Sequence, residues 1–133
     1  MSLIKTLIRH EGFREHPYHC SADKLTIAIG RNLDDVGISY EEALYLLKND
    51  IKRVREELDR SVPWYKQMDQ DRQDVFINMV FNLGISRFLG FKKMLAAAKE
   101  GDYQKAADEM LDSRWANQVG NRATELAQIM RDS

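Results

Sequence analysis

The sequence predicts an α+β fold, mostly helical, with one small β-containing lobe. Three observations carry that prediction. Leu25-Thr26-Ile27-Ala28-Ile29-Gly30 is a β-branched run behind the polar turn Ser21-Ala22-Asp23-Lys24, the pattern of a hairpin or small sheet. Elsewhere apolar residues recur at steps of three and four, the period of an amphipathic helix. Between the two patterns stands Ser39-Tyr40-Glu41-Glu42, a capping box that opens a long helix.

Taken in order, Leu3, Ile4, Leu7 and Ile8 define a first helix, capped by Ser2, that runs to about Glu11 and stops near Gly12. Residues 12–35 form the small lobe. The helix opened at Ser39 carries Ala43, Leu44, Leu47, Ile51, Val54 and Leu58 on one face, which predicts a buried stripe over residues 40–60. It ends before Pro63, because the residue preceding a proline resists the helical region. This helix is expected to connect the small lobe to a helical lobe of residues 64–133, which also takes in the N-terminal helix. In the helical lobe, Asp71 to Leu83 carries Val75, Phe76, Met79, Val80 and Leu83, with Gly84 as a natural stop. Phe88, Leu89, Phe91, Met94 and Leu95 begin one further segment reaching Gly101; Asp102 caps the next. Trp115 is expected on a short turn, and Asn121 as the cap of a last helix through Leu126, Ile129 and Met130. Phe76, Met79, Val80 and Trp115 read as core.

Composition narrows the function. The 133 residues fit a single domain. Lys+Arg number 20 against 21 for Asp+Glu, so bulk charge gives no reason to expect a nucleic-acid partner. One cysteine excludes an internal disulfide and a four-cysteine zinc site. His10, His16 and His19 match no familiar ligand spacing, so no metal is expected. No apolar run reaches the roughly 18 residues that a membrane-spanning helix needs. Lys5 and Arg9 interrupt the apolar N-terminus, which reads as neither signal peptide nor anchor, and the expected compartment is a reducing cytoplasm.

One segment can do chemistry: His10 to Leu33, in which Cys20 lies nine positions after Glu11 and Thr26 six after that. A carboxyl at a helix end beside a sheet can be desolvated in a cleft and keep its proton, as a general acid requires. Taken singly, Glu11 is a solvated helix-end side chain, Cys20 a small hydrophobe and Thr26 an ordinary strand residue. Their joint spacing is what raises the functional reading.

That spacing resembles the phage-type lysozymes, or endolysins. In that family a Glu, eight residues, Asp or Cys, five residues and Thr form the catalytic set, and Glu11, Cys20 and Thr26 match it without insertion. Asn78-Met79-Val80-Phe81-Asn82-Leu83-Gly84, Ser113-Arg114-Trp115-Ala116-Asn117-Gln118 and Asn121-Arg122-Ala123 resemble further family blocks in the same order. The resemblance implies a lysozyme-like fold with the saccharide groove between the lobes. It also implies hydrolysis of the β-1,4 bond between N-acetylmuramic acid and N-acetylglucosamine in peptidoglycan. Glu11 would protonate the glycosidic oxygen, Cys20 would face the other side of the ring, and Thr26 would orient the attacking water. Phe81 and Asn82 would line the groove, and Arg122 would pair with Glu11, which favours the carboxylate while burial opposes it.

Cys20 stands where many members carry Asp. Lys24, Arg14 and Arg31 are the cations close enough in sequence to lower its pKa. Neither the inverting nor the retaining outcome follows from the residues, and a lytic transglycosylase, which needs only one acid/base Glu, stays open. So does a catalytically weak wall-binding prophage remnant. The resemblance further implies no cofactor, a monomer, no stable membrane insertion, and a holin to release the enzyme from the host cytoplasm to the wall in the periplasm.

Overall fold

The computed structural model describes residues 2–133. It is a mostly helical α+β chain in two compact units, the first ending at Leu46 and the second running from Leu47 to Ser133.

The first unit opens with α1 (Leu3–Glu11), where the Ser2 hydroxyl accepts from the Lys5 amide (3.2 Å) and Gly12, at φ +74°, ends the helix. Its apolar stripe is on the surface, with Leu3 and Ile4 more than 70% exposed. An antiparallel meander follows, in the order β1 (Arg14–His19), β2 (Leu25–Ala28) and β3 (Arg31–Asn32). Tyr18 pairs with Thr26 and Thr26 with Asn32, so Thr26 lies on the central strand. Among the described residues this is the β structure, as its β-branched run predicts.

Helix α2 (Tyr40–Ser61) begins on the expected box: the Ser39 amide donates to Glu42 Oε1 (2.8 Å), and the Glu42 amide donates to Ser39 Oγ (3.1 Å). Arg31 reinforces this start with a two-pronged ion pair to Glu42 (2.8 and 2.6 Å). That pair, first of all the hydrogen bond from Arg31, holds the Glu42 pKa down at about 2. The predicted stripe is only partly buried. Val54 and Leu58 are inside, Ile51 is half-buried, and Leu44 and Leu47 are exposed. Periodicity marks which residues share a face, but packing alone decides how much of that face is covered.

The second unit holds the hydrophobic core. A 3-10 turn (Pro63–Gln67) leads into α3 (Gln70–Leu83), which starts one residue before the expected Asp71 because Asp69 is the cap, accepting from the Arg72 amide. Phe76, Met79 and Val80 of α3 are buried, and Phe76 meets Trp64 and Phe88 edge-on. The segment read as continuous from Phe88 to Gly101 is two helices, α4 (Ile85–Leu89) and α5 (Lys92–Lys99), separated at Gly90. Asp102 caps α6 (Tyr103–Leu111) as expected. Trp115 is not on a turn. It is buried in α7 (Arg114–Val119), whose start Ser113 caps through its hydroxyl. Asn121 does not cap the last helix; it is the first residue of α8 (Asn121–Asp132), and Gly120 precedes it at φ +58° with no side chain to cap.

One buried cation ties this unit together. Arg72 donates through Nε to the Met130 carbonyl (2.6 Å), and through its two terminal nitrogens to Asp69 (2.9 Å) and the Arg131 carbonyl (3.3 Å). Its guanidinium lies 3.7 Å from the centre of the Tyr103 ring. It thereby satisfies carbonyls at the end of α8 that helix geometry leaves without partners. Arg72→Ala is expected to lower unfolding free energy by about 2–4 kcal/mol, through lost charge-assisted hydrogen bonds and unpaired carbonyls. Urea denaturation of the two proteins checks this, and equal midpoints would contradict it.

Candidate active site

Glu11 is the last residue of α1, and its backbone direction is set by the turn at Gly12. The side chain is exposed, and it meets the sheet at the turn after β2, against Gly30. A Cβ built on Gly30 stands 2.8 Å from Glu11 Oε2 and 2.9 Å from its Cδ. Gly30 also has φ +68°, in the left-handed region that favours glycine. The missing side chain is therefore the space that the carboxylate occupies. A sequence signal existed, since glycine closing a strand run marks a turn or a close approach, but nothing in the spacing named Glu11 as the neighbour.

Cys20 and Thr26 come together at the opposite end of β2. The Cys20 amide donates to the Lys24 carbonyl (3.0 Å), closing the turn, and Asp23 within it takes φ +59°. Thr26 is buried, and its hydroxyl donates to the same Lys24 carbonyl (2.8 Å). The thiol pKa is lowered, first by hydrogen bonding from the Lys24 backbone, then from Ala22, with a smaller contribution from the Thr26 hydroxyl. None of the three expected cations is the cause. Lys24 pairs with Asp35 (3.3 Å), Arg14 sits over the Tyr18 ring (4.5 Å), and Arg31 is held by Glu42. The backbone of the turn thus does what charge was expected to do.

The expected saccharide residues lie in the second unit. Phe81 is exposed and walls a recess of about 350 Å³ together with Ile51, Ile77, Asn78 and Arg122. Asn82 accepts from the Trp115 indole N–H at Oδ1 (2.7 Å), which keeps its amide N–H₂ for another partner. Arg122 donates from Nε (3.0 Å) and Nη2 (2.7 Å) to Asn78 Oδ1. Asn78, which opens one of the family-like blocks, is thus the residue that positions Arg122.

The described residues thus combine a mostly helical fold and a small meander with a carboxylate at the close of the first helix and a thiol and hydroxyl sharing one strand turn. The phage lysozyme family model matches residues 8–131, and the chain belongs to that family. It is 36% identical to the probable T4-type lysozyme 1 of Dictyostelium discoideum, over 50% of this chain and 39% of that protein. It is 26% identical to the pre-baseplate central spike protein Gp5 of Enterobacteria phage T4, over 98% of this chain and 28% of that one. An endolysin of Acyrthosiphon pisum secondary endosymbiont phage 1 is 29% identical, over 92% of this chain and 84% of the endolysin. The chain spans less than half the length of the first two relatives. Among the described residues no helix is long and apolar enough to cross a membrane.

Three outcomes follow from the geometry. Gly30→Ala is expected to cost about 1–2 kcal/mol of stability, from the positive φ, and to displace the Glu11 carboxyl. Thermal unfolding reads the first effect and the carboxyl carbon resonance of Glu11 the second; an unmoved resonance would contradict the contact. Alkylation of Cys20 should titrate below the roughly 8.5 of an ordinary thiol. Thr26→Val should move that midpoint upward, because a donor to the sulfur is lost.

Proposed function

We propose that the chain is a glycoside hydrolase that cuts the β-1,4 bond between N-acetylmuramic acid and N-acetylglucosamine in peptidoglycan, and that it serves host-cell lysis as an endolysin. The observation that supports this most is the catalytic-type spacing, Glu11, Cys20 and Thr26, on one helix end and one hairpin of a chain that belongs to the phage lysozyme family.

In this reading protonated Glu11 gives its proton to the glycosidic oxygen as the bond to C1 of the sugar breaks. Positive charge develops at C1. A water attacks C1 and loses a proton, and the Cys20 thiolate receives it. The turn backbone raises the thiolate fraction and so makes a sulfur serviceable where a carboxylate is common. Thr26, whose hydroxyl proton is shared between the Lys24 carbonyl and the Cys20 sulfur, offers its oxygen lone pairs to that water as an acceptor. Phe81 and the Asn82 amide contact the saccharide, and Arg122, oriented by Asn78, contacts it beside Phe81. No cofactor or metal takes part. The protein works as a monomer on the wall polysaccharide, with neither nucleic acid nor stable membrane insertion, and a holin-type lesion gives it access from the host cytoplasm to the periplasm.

The sulfur at position 20 also favours a second reading, lytic transglycosylation. There the C6 hydroxyl of the muramic acid attacks C1, and the Glu11 carboxylate takes up its proton, so no second group is needed. Muropeptides released by the parent protein separate the two: hydrolysis leaves reducing muramic ends, whereas transglycosylation leaves the 1,6-anhydro form. Glu11→Gln should fold normally and lose at least about a hundredfold in rate on purified walls, the usual effect of removing a general acid. Cys20→Ala should lose comparably for hydrolysis and little for transglycosylation. A Glu11→Gln protein that lyses walls at the parental rate would remove the acid assignment. An inactive parent that still sediments with walls would indicate a binding module instead.

A further inference from the structure

A recess of about 700 Å³ in the second unit lies outside the residues given roles above, although Trp115 borders it. Four cations line it, Arg87, Lys92, Lys93 and Arg114, against two acids, Glu109 and Asp112. Its net charge is therefore positive in a chain whose formal charge is -1. All four cations are exposed, and among the described residues none of them has an ion pair or a side-chain hydrogen bond. Lys92 and Lys93 are also placed against their own helix. They open α5, where the backbone dipole is already positive, with no acid in the first turn and no side-chain cap. Folding stability gives no reason for that arrangement, since cations at a helix start are mildly destabilising. A concave surface of one sign focuses potential and draws in the opposite charge.

We propose that this recess binds the phosphates of a phosphodiester-linked sugar or polyol chain. Four separated cations in such a volume suit several anionic groups rather than one small ion. A phosphodiester keeps its charge throughout the physiological range. Glu109 and Asp112, which a simple anion would avoid, can accept hydrogen bonds from hydroxyls between successive phosphates, and Gln118, which also lines the recess, both donates and accepts. A bilayer offers its phosphates in a plane, which a recess fits poorly. The inference rests on the proposed function in its choice of polymer, because an enzyme working at the bacterial envelope meets such chains. It places a substrate-anchoring site away from the residues that would handle the glycosidic bond.

Calorimetric titration of the full chain with purified poly(glycerol phosphate) at low salt tests it. Lys92→Gln/Lys93→Gln should weaken binding about fivefold or more, the sum of two exposed charge contacts. Lys52→Gln/Lys105→Gln makes the same charge change outside the recess and should stay within about twofold. Circular dichroism establishes that both variants fold. No binding by the parent, equal losses in both variants, equal binding of polyglutamate, or equal binding of phosphatidylglycerol vesicles would each overturn the proposal. The titration requires no turnover. The rate of the Lys92→Gln/Lys93→Gln variant on walls stripped of phosphodiester polymer, expected to equal the parental rate, reports separately on the hydrolase reading.

Discussion

The contact on which the candidate site depends is an absence, the missing side chain at Gly30. Because nothing projects from that turn, the exposed carboxyl of Glu11 can lie against the backbone at Gly30. The same residue must take a left-handed backbone to turn β2 into β3, so two demands converge on one position. Any L side chain there would meet both the backbone preference and the carboxylate. The acid is thereby referenced to the hairpin that also carries Thr26 and closes on Cys20. Those three side chains come from separate stretches of chain, yet the hairpin makes them parts of one local structure.

The two units spend charge differently. In the first, Arg31 and Glu42 pair at the surface and brace the start of α2, where solvent weakens each contact and geometry supplies most of the value. In the second, Arg72 is buried among apolar helices and has a partner for each nitrogen, plus an aromatic face. Burial makes such a group costly unless every donor is used. Around it the core is built of Phe76, Phe88, Met79, Met94, Met110 and Met130, all buried. Methionine fills irregular gaps between side chains, which suits a core shared by six short helices of five to fourteen residues.

Much of this was legible in the residues. Local hydrogen bonding, which is short-range in sequence, told the truth: Ser2, Ser39 and Asp102 cap where they should, and Gly12 and Gly84 stop their helices. The β region and the core identity of Phe76, Met79, Val80 and Trp115 follow from pattern in the same way. Errors arose where one signal had two readings. Gly90 interrupts an apolar run without breaking its periodicity, so one helix was expected where there are two. Asn121 is a good capping residue, but Gly120 before it supplies the turn and pushes Asn121 inside the helix. Asn78 as the partner of Arg122, 44 positions away, and Gly30 as the seat of Glu11 are tertiary facts. No local spacing encodes them. The thiol is a different case: its pKa is lowered first by amide groups of its own turn, which every sequence possesses, rather than by the cations that sequence displays.

The indole of Trp115 gives the molecule an optical reporter of its own. Its N–H is engaged by the Asn82 carbonyl, so a guest that turns that amide breaks the bond and alters the emission of the ring. The chain has two tryptophans, and the other, Trp64, packs edge-on against Phe76 at the margin of the core. In a Trp64→Phe protein Trp115 is the one tryptophan left, so its emission follows the Asn82 bond without any label.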